Sequence, residues 1–410
     1  MTGEGLRELD RYVDAAWDDL VDFARRLVRT PSISGQERVV AELIRAEMTR
    51  LGYDQVFADS TGNVVGVIRG DGRGEHVLYN FHMDHVSPGN PEAWTYPPYE
   101  GLVRDGYLHG RGASDVKGAI AAQVYAAALV KKAGLAHGGD IIVTGVVDEE
   151  PGDMWGMRRL AGEVLSGYLG RIGLVVLAEA TSLDIYLGHR GRAEFEISTL
   201  GQIGHSSSPW RGVNAVYLMA PVVEAVRAMA DALPEDAFLG KSSAAVTNIL
   251  ASPGWGSIIP DRCTIWVDRR FLPSEDRQST IAQFKEILAR QVPEGRATVA
   301  FRQLAHRSYM GIEETIELYK PAFLTDRCEP HVERVRGALT GLGQNPGFGR
   351  WDFGTDGALT AVELGLPTIG YSAGEEQYAH QPTDRVSLDL LRKSVHGNVA
   401  ISMAVTGAGA

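Results

Sequence analysis

The sequence contains few of the features that build disulfide-linked, membrane-spanning or nucleic-acid-binding proteins. It has two cysteines, Cys263 and Cys328, among 410 residues, which excludes a disulfide framework and a cysteine-based metal motif. No apolar run approaches the roughly 18–20 residues that cross a bilayer. Acidic residues outnumber basic ones by 52 to 40, and the net charge of −12 argues against a nucleic-acid-binding surface.

The sequence also predicts the compartment in which the protein is found. The N-terminal segment is polar with helical periodicity, so it lacks the apolar core of a secretory signal. The two isolated cysteines agree with a reducing compartment. We therefore expect a cytoplasmic protein that binds neither nucleic acid nor a membrane.

The composition is that of a globular protein, with 44% apolar and 22% charged residues. A chain of 410 residues is too long for one ordinary hydrophobic core, so two domains are expected. The 48 glycines predict many tight turns between strands and helices.

The first and last parts of the chain alternate short apolar strands with helices, which is typical of an α/β sheet covered on both faces. Ser34, with Glu37 in the capping-box position, predicts the start of a helix that ends near residue 51. The other predicted elements in these parts are helices at 8–28, 118–132 and 387–405, and strands at 64–68, 77–81, 141–147, 174–178 and 367–371.

The pattern changes between residues 191 and 304. The predicted elements there are strands at 192–200, 244–250, 262–271 and 297–304, and helices at 214–233 and 280–291. Their order, β-α-β-β-α-β, is that of a ferredoxin-like unit. We predict a first domain of residues 1–190 and 305–410 with a mixed, mostly parallel sheet, and an inserted ferredoxin-like domain of residues 191–304.

Several acids and histidines follow predicted strands, where an open α/β sheet gathers its ligands. His82 and Asp84 end an apolar strand and lie two residues apart, so they face the same way. A carboxylate in that position can orient a metal-bound imidazole. Asp115 follows a glycine-rich stretch just before a helix. The alternatives are a surface loop for the first pair and a simple helix cap for Asp115.

Three further segments extend this pattern. Asp148, Glu149 and Glu150 end another strand, and their mutual repulsion requires a cation if they converge; the alternative is a solvated acidic turn. Glu179 ends a fourth apolar strand, and His380 precedes the last helix. A lone histidine is more often structural than a ligand, but together these side chains are the oxygen and nitrogen donors that zinc accepts.

The five segments resemble the aminoacylase family of co-catalytic zinc hydrolases, which includes acetylornithine deacetylase, succinyl-diaminopimelate desuccinylase and glutamate carboxypeptidase. The resemblance covers nearly the whole chain. It implies two zinc ions, which cobalt or manganese could replace. By the family pattern, His82 and Glu179 hold one ion, Glu150 and His380 hold the other, and Asp115 bridges them.

The resemblance also implies roles around the metal. Glu149 matches the general acid/base, and Asp84 the carboxylate behind the ligands. His205 matches a loop histidine that reaches the active site of the partner protomer, which implies a homodimer through the inserted domain. That domain would also act as a lid.

Four residues match substrate-binding positions of the family: Asn248, Arg270, Gly354 and Thr355. Arg270 alternates with apolar neighbours on its strand and so can face a cleft; the alternative is a surface salt bridge. Two features depart from the common pattern. The loop 151–155 is not glycine-rich, and the segments 308–311 and 351–355 look most like a hydrolase branch linked to selenium metabolism.

The expected reaction is hydrolysis of an amide bond beside a carboxylate in a small molecule. Metal ions would activate a water, Glu149 would move its proton, and Arg270 would bind the substrate carboxylate through two N–H groups. An N-acyl amino acid, as in acetylornithine deacetylase, is the expected substrate. The alternative is a dipeptidase or carboxypeptidase with the same dinuclear site. A non-catalytic binding protein on this fold would lack the base or the bridge, and both residue types are present.

Overall fold

The described residues form two large sheets and several smaller sheets of two or three strands. The computed structural model describes residues 3–135 and 137–407. Within them the first and last parts of the chain share a nine-stranded mixed sheet, and the middle part forms a five-stranded antiparallel sheet. The α-helices of the described residues are α1 Gly3–Arg29, α2 Arg38–Arg50, α3 Gly118–Lys132, α4 Trp155–Glu163, α5 Ala215–Asp231, α6 Arg277–Gln291, α7 Pro330–Gly341 and α8 Leu388–Thr406.

The strands follow the same three parts of the chain. The first part contains β1 Gln55–Ala58, β2 Val64–Ile68, β3 His76–His82, β4 Leu102–Arg104, β5 Tyr107–His109, β6 Ile141–Val146, β7 Ile172–Leu177 and β8 Ile185–His189. The middle part contains β9 Gly191–Leu200, β10 Gly204–His205, β11 Glu235–Asp236, β12 Gly240–Lys241, β13 Ser243–Ser252, β14 Ile258–Ile259, β15 Arg262–Phe271, β16 Ala297–Phe301, β17 Gln303–Arg307, β18 Glu313–Glu317 and β19 Tyr319–Lys320. The last part contains β20 Phe323–Leu324, β21 Phe348–Trp351, β22 Thr368–Gly370 and β23 Arg385–Ser387.

The nine-stranded sheet has the order β1-β2-β6-β3-β7-β22-β8-β20, with β21 beside β8. Its central strands β6, β3, β7 and β22 are parallel, and antiparallel pairs lie toward both edges. Alternate residues face two apolar clusters, one covered by α1, α2, α3, α7 and α8 and the other by α4. Burial on both faces explains why these strands are continuous apolar runs. The predicted mixed α/β sheet is confirmed.

The parallel register decides where the site forms. His82, the last residue of β3, lies beside Val146, the last residue of β6. Asn80 of β3 lies beside Leu177, the last residue of β7. The segments that follow these three strands therefore start from one edge of the sheet.

The five-stranded sheet has the order β13-β15-β9-β16, with β19 also paired to β9. Together with α5 and α6, its four long strands have the predicted β-α-β-β-α-β order and are antiparallel. One face packs on both helices through residues such as Phe195, Val267 and Phe284. On the other face Asp268 and Arg270 are half-buried, as their alternation predicts. The predicted ferredoxin-like unit is confirmed.

The end of the middle part differs from expectation. The predicted strand 297–304 ends at Phe301, and the chain then forms a hairpin of β17 and β18 that the sequence did not predict. The chain rejoins the nine-stranded sheet only at β20, well after residue 304. The exact limits of the two domains stay a prediction.

The predicted capping box at Ser34 was wrong. Helix α2 begins at Arg38, and its N-cap is Glu37, without a side-chain capping bond. The Ser34 hydroxyl donates instead to Asp84 Oδ2 at 2.7 Å, while Glu37 Oε1 accepts from Gly35 N at 2.9 Å. The Asp84 carboxylate, from a distant segment, thus takes the hydroxyl that was expected to cap the helix. Residue spacing in the sequence does not show that this carboxylate lies nearby. Among the described residues no helix has the length and hydropathy needed to cross a membrane.

Candidate metal centre

Side chains from five segments meet at the carboxyl edge of the central parallel strands. His82 ends β3, Glu150 follows β6, and Glu179 follows β7. Asp115 lies in the turn that precedes α3, and His380 lies in the loop before β23. The structure thus brings together all five residues that the family pattern names as metal ligands.

Asp115 lies between the two histidines. Its Oδ1 is 3.1 Å from His82 Nε2, and its Oδ2 is 3.2 Å from His380 Nε2. His380 Nε2 is also 3.1 Å from Glu150 Oε2, and His82 Nε2 is 3.8 Å from Glu179 Oε1. The two oxygens of Asp115 therefore face two different imidazoles, which is what a carboxylate bridging two cations requires.

The donor set fits a metal ion. Two groups of three residues here each bring one donor atom apiece within 4.8 Å of one another: His82, Glu149 and Glu179, and His82, Asp115 and Glu150. Imidazole nitrogens and carboxylate oxygens are ligands of zinc, manganese and cobalt. A third group, Glu37, Asp84 and Asp148, lies behind them.

The protonation of these groups reflects their crowding. Burial raises the pKa of Glu150 to about 7 and that of Glu179 well above its usual range. Burial opposes ionisation of Asp115 too, but hydrogen bonds from His380 and His82 hold its pKa below the usual range. Hydrogen bonds to Asp115 and Glu150 raise the pKa of His380 to about 10. A cluster with this many buried carboxylates is stabilised by positive charge.

Asp84 contacts both the His82 imidazole and the backbone of the acid pair. The nearer partner of His82 Nδ1 is the backbone oxygen of Asp84 at 3.0 Å, whereas the carboxylate Oδ1 is 3.6 Å away. The carboxylate instead accepts from Glu149 N and Glu150 N, both at 3.1 Å. Asp84 therefore orients the backbone of the acid pair as well as the imidazole.

Lys320 is a residue of the site that the sequence analysis missed. Its ammonium donates to Glu149 Oε1 at 2.8 Å and to the carbonyl of Gly354 at 3.1 Å, and its side chain is buried. Burial raises the pKa of Glu149, and the charge of Lys320 opposes that rise. A single lysine outside any motif gives no signal in a sequence, because most lysines are exposed.

Lys320 belongs to a row of three cations, which we name the cation row: Arg270, Arg192 and Lys320. Arg192 of β9 pairs with Arg270 of β15 on one side and with Lys320 of β19 on the other. Like charges on neighbouring strands repel. Asp268 compensates part of this charge, because it accepts from Arg270 Nε at 2.7 Å and from Arg192 Nε at 3.1 Å.

The cation row and the metal donors line one cavity of about 320 Å³. The lining residues are His82, Asp115, Glu149, Glu150, Gly152, Glu179, Arg192, Arg270, Lys320, Phe353, Gly354, Glu376, Ala379 and His380. Arg270 thus fits both hypotheses made for it, since it lines a cleft and also forms a salt bridge with Asp268.

Four of the predicted site residues do not line this cavity: Asp84, described above, and His205, Asn248 and Thr355. His205 is exposed in β10 and accepts from Ser207 N at 3.1 Å. Asn248 is half-exposed in β13, at one end of the strand order. Thr355 is fully buried: its amide donates to His189 Nε2 at 3.0 Å, and its hydroxyl accepts from Gly357 N at 3.1 Å. The Thr355 side chain faces the interior, and the assignment of Thr355 to substrate binding stays a prediction.

Comparison with known proteins agrees with this geometry. Residues 78–401 match the model of Peptidase family M20/M25/M40. The chain is 33% identical over 369 residues to the uncharacterized protein YgeY of Escherichia coli (strain K12), which covers 90% of this chain and 89% of that protein. It is 30% identical over 282 residues to a succinyl-diaminopimelate desuccinylase of Xanthomonas oryzae pv. oryzae (strain MAFF 311018), covering 67% of this chain and 73% of that enzyme.

Solved structures share the fold. A tripeptidase from Staphylococcus aureus has a TM-score of 0.72 at 20% identity and covers 94% of this chain and 98% of its own. The dipeptidase Dug1p from Saccharomyces cerevisiae has a TM-score of 0.73 at 13% identity and covers 99% of both chains. The more specific resemblance to selenium-linked hydrolases stays a prediction, whereas the family resemblance is confirmed. The chain belongs to peptidase family M20/M25/M40 and is a metal-dependent hydrolase of amide bonds.

Proposed function

We propose that this protein is a zinc-dependent deacylase that removes the acyl group from an N-acyl amino acid. One observation carries the proposal: a single cavity joins a metal-donor cluster, the buried carboxylate of Glu149 and the cation row. The first two suit amide hydrolysis, and the third suits a substrate with a carboxylate. The 30% identity to a succinyl-diaminopimelate desuccinylase supports removal of an acyl group over cleavage of a peptide.

The proposed ligands of two zinc ions are His82 and Glu179 for one, Glu150 and His380 for the other, and Asp115 between them. The distances around Asp115 support this division. Cobalt or manganese could replace zinc, because the donors are nitrogen and oxygen. When bound, such ions supply Lewis acidity that lowers the pKa of a water and polarises the amide carbonyl.

Glu149 is the proposed proton carrier. It accepts a proton from the attacking water and then gives it to the nitrogen of the leaving amine. Lys320 holds the carboxylate in place and favours its ionised form before the reaction. Asp84 supports the same role, because it holds the Glu149 amide at 3.1 Å.

Arg270 is the proposed anchor for the substrate carboxylate. A guanidinium has five N–H donors, and Asp268 occupies only the Nε group and one on Nη2. The remaining donors can hold a carboxylate in the bidentate geometry that Lys cannot provide. Arg192 and the backbone of Gly354 line the same part of the cavity.

His205 and Asn248 are proposed to act in the partner protomer of a homodimer, where His205 would stabilise the developing oxyanion. The observation in favour is that both are accessible and lie on the five-stranded-sheet part of the chain. Large apolar side chains are exposed in the same part: Tyr217 of α5 at 77%, and Ile249 and Leu250 of β13 at 56% and 54%. Sedimentation equilibrium tests the dimer, and a monomer at assay concentrations contradicts it.

A substrate screen tests the activity. The zinc-loaded protein is incubated with a library of N-acyl amino acids and with dipeptides, and release of free amine is measured. Turnover of acyl amino acids with dipeptides left intact supports the proposal. The reverse pattern contradicts it and favours a dipeptidase or carboxypeptidase with the same site. Metal analysis of the isolated protein identifies the native ion.

A further inference from the structure

The loop that carries the acid pair has an unusual backbone. We name residues 148–155, which follow β6 and end at the first residue of α4, the base loop. Three of its residues have left-handed backbone conformations: Asp148 with φ 59°, Gly152 with φ 93° and Met154 with φ 69°. Two of them are not glycine, and such residues keep this conformation only where surrounding contacts hold them.

One imidazole provides these contacts at two points of the base loop. His306 forms a hydrogen bond through Nδ1 to the Asp148 carboxylate and an ion pair through Nε2 with Asp153. The ring also stacks on Trp155, with the centroids 5.3 Å apart and an angle of 20° between the planes. His306 is only 3% exposed. Burial opposes its charge, but bonds to the two carboxylates raise the pKa of His306 to about 9.

His306 lies on the β17–β18 hairpin, residues 303–317, which is itself anchored. Glu314 of the hairpin accepts from Trp155 Nε1 at 2.7 Å. The Tyr309 hydroxyl donates to the carbonyl of Gly62 at 2.7 Å, and Arg38 donates to the Tyr309 carbonyl at 2.7 Å. The hairpin is thus fastened to the end of the base loop at Trp155, to the turn before β2 at Gly62 and to the start of α2 at Arg38.

The base loop is held from its opposite side by backbone contacts. Asp84 accepts from the amides of Glu149 and Glu150, and Glu37 Oε1 accepts from Asp148 N at 3.1 Å. The Asp148 side chain extends to His306, while the next two residues, Glu149 and Glu150, line the cavity. The direction of the Glu149 side chain therefore depends on how the loop is held at both faces.

We propose that His306 is a positioning residue. By holding the base loop through Asp148 and Asp153, it fixes the position of the Glu149 carboxylate, the proposed catalytic base. This inference rests on the proposed role of Glu149. It also explains two departures from the family pattern together, because the unusual loop 151–155 and the segment 308–311 belong to the two elements that His306 joins.

The test compares His306→Gln with His331→Gln. His331 also places both ring nitrogens on carboxylates, Glu75 at 2.8 Å and Glu329 at 2.9 Å, but at the start of α7, so it is a matched control. We expect His306→Gln to lower kcat about 100-fold, since misplacement of a catalytic group by about 1 Å has that effect. KM should stay within about twofold, and metal content should not change. His331→Gln should leave kcat unchanged.

Amide hydrogen exchange gives a readout independent of turnover. In His306→Gln the peptides covering residues 147–155 should exchange at least about tenfold faster, because local opening determines protection. The same peptides should keep wild-type exchange in His331→Gln. Unchanged exchange and unchanged kcat in His306→Gln would overturn the proposal. If His306→Gln fails to fold, Asp153→Asn removes one of the two contacts, and the same criteria apply to it.

A double variant separates positioning from general stability. If His306 acts through Glu149, adding His306→Gln to Glu149→Gln should cause little further loss of kcat, because residues that act as a unit are non-additive. A full additional loss contradicts the proposal. Wild-type turnover in Glu149→Gln alone would refute the proposed role of Glu149. Faster exchange of the base loop in His306→Gln would in that case still show that His306 holds the loop.

Discussion

The two sides of the cavity differ in charge and in how the fold builds them. On the acidic side, His82, Glu150 and Glu179 end or follow neighbouring parallel strands. Asp115 and His380 reach the same edge from the turn before α3 and from the loop before β23. The cation row comes from one end of an antiparallel sheet, where cross-strand register aligns Arg270, Arg192 and Lys320. The first side needs only the nine-stranded sheet, whereas the second also needs the five-stranded sheet to lie against it.

This difference suggests a division of labour. Binding of the metal ions and proton transfer depend on the acidic side of the cavity, and recognition of the substrate carboxylate depends on its cationic side. Lys320 is the exception, because it belongs to the cation row and contacts Glu149. Variants on each side should therefore change different kinetic constants.

The largest effect is expected on the acidic side. Glu149→Ala should lower kcat by about 10²–10⁴-fold, the usual contribution of a general acid/base, while the protein keeps its metal. Steady-state kinetics and elemental analysis measure both quantities. Glu333→Ala, on the exposed face of α7, serves as control. Wild-type turnover without Glu149 would remove it from the mechanism.

The next effect concerns metal binding on the same side. His380→Ala should lower the zinc content of the protein by about one ion per chain, because His380 contacts both Glu150 and Asp115. Loss of this metal ligand should also abolish most activity. A chelator should have the same effect on the wild-type protein, and added zinc should restore activity to the chelated wild-type protein but not to His380→Ala. Two full equivalents of zinc in His380→Ala would contradict the assignment.

A smaller effect is expected on the cationic side. Arg270→Ala should lower kcat/KM for a carboxylate substrate about 10- to 100-fold, since a hydrogen bond to a charged group contributes about 1.5–3 kcal/mol. For the same substrate with its carboxylate converted to an amide, Arg270→Ala should change kcat/KM little, so this analogue is the internal control. Equal losses for both substrates would mean that Arg270 does not read the carboxylate.

The smallest effect is a pH-dependent change in stability at His306. Bonds to Asp148 and Asp153 raise the pKa of His306 to about 9 in the folded protein, against about 6.5 when unfolded. Its stabilisation is therefore complete below about pH 6.5 and lost as pH rises through about 9. His306→Gln should lower the free energy of unfolding by about 3 kcal/mol at pH 6, and by much less at pH 9.5. Urea unfolding at both pH values measures this; an equal loss at both would contradict the charged pair.

Much of the fold followed from sequence periodicity. Helix α3 and the strands β2 and β15 have the predicted bounds. Helix α3 and β2 are continuous apolar runs that are buried almost throughout, and β15 alternates strictly between buried and more exposed residues. The hairpin 303–317 was missed, since its β18 strand Glu313–Glu317 is mostly polar and exposed and gives no apolar alternation. Ser34 was assigned to a helix cap because the sequence does not show the Asp84 carboxylate that accepts its hydroxyl.

The sequence placed His82, Glu150 and Glu179 at the ends of apolar strands, and neighbouring parallel strands bring such ends to one edge of a sheet. Asp115 and His380 were assigned to the donor set through the family resemblance. The sequence also determined the fold class, through two different hydrophobic periods. Three features follow from contacts between elements that are distant in the sequence: Lys320 meets Glu149, the Thr355 side chain faces inward, and His306 joins Asp148 to Asp153. These contacts depend on how elements distant in the sequence pack against each other. Such packing produces no regular pattern of residues in the sequence, so the contacts could not be predicted from it.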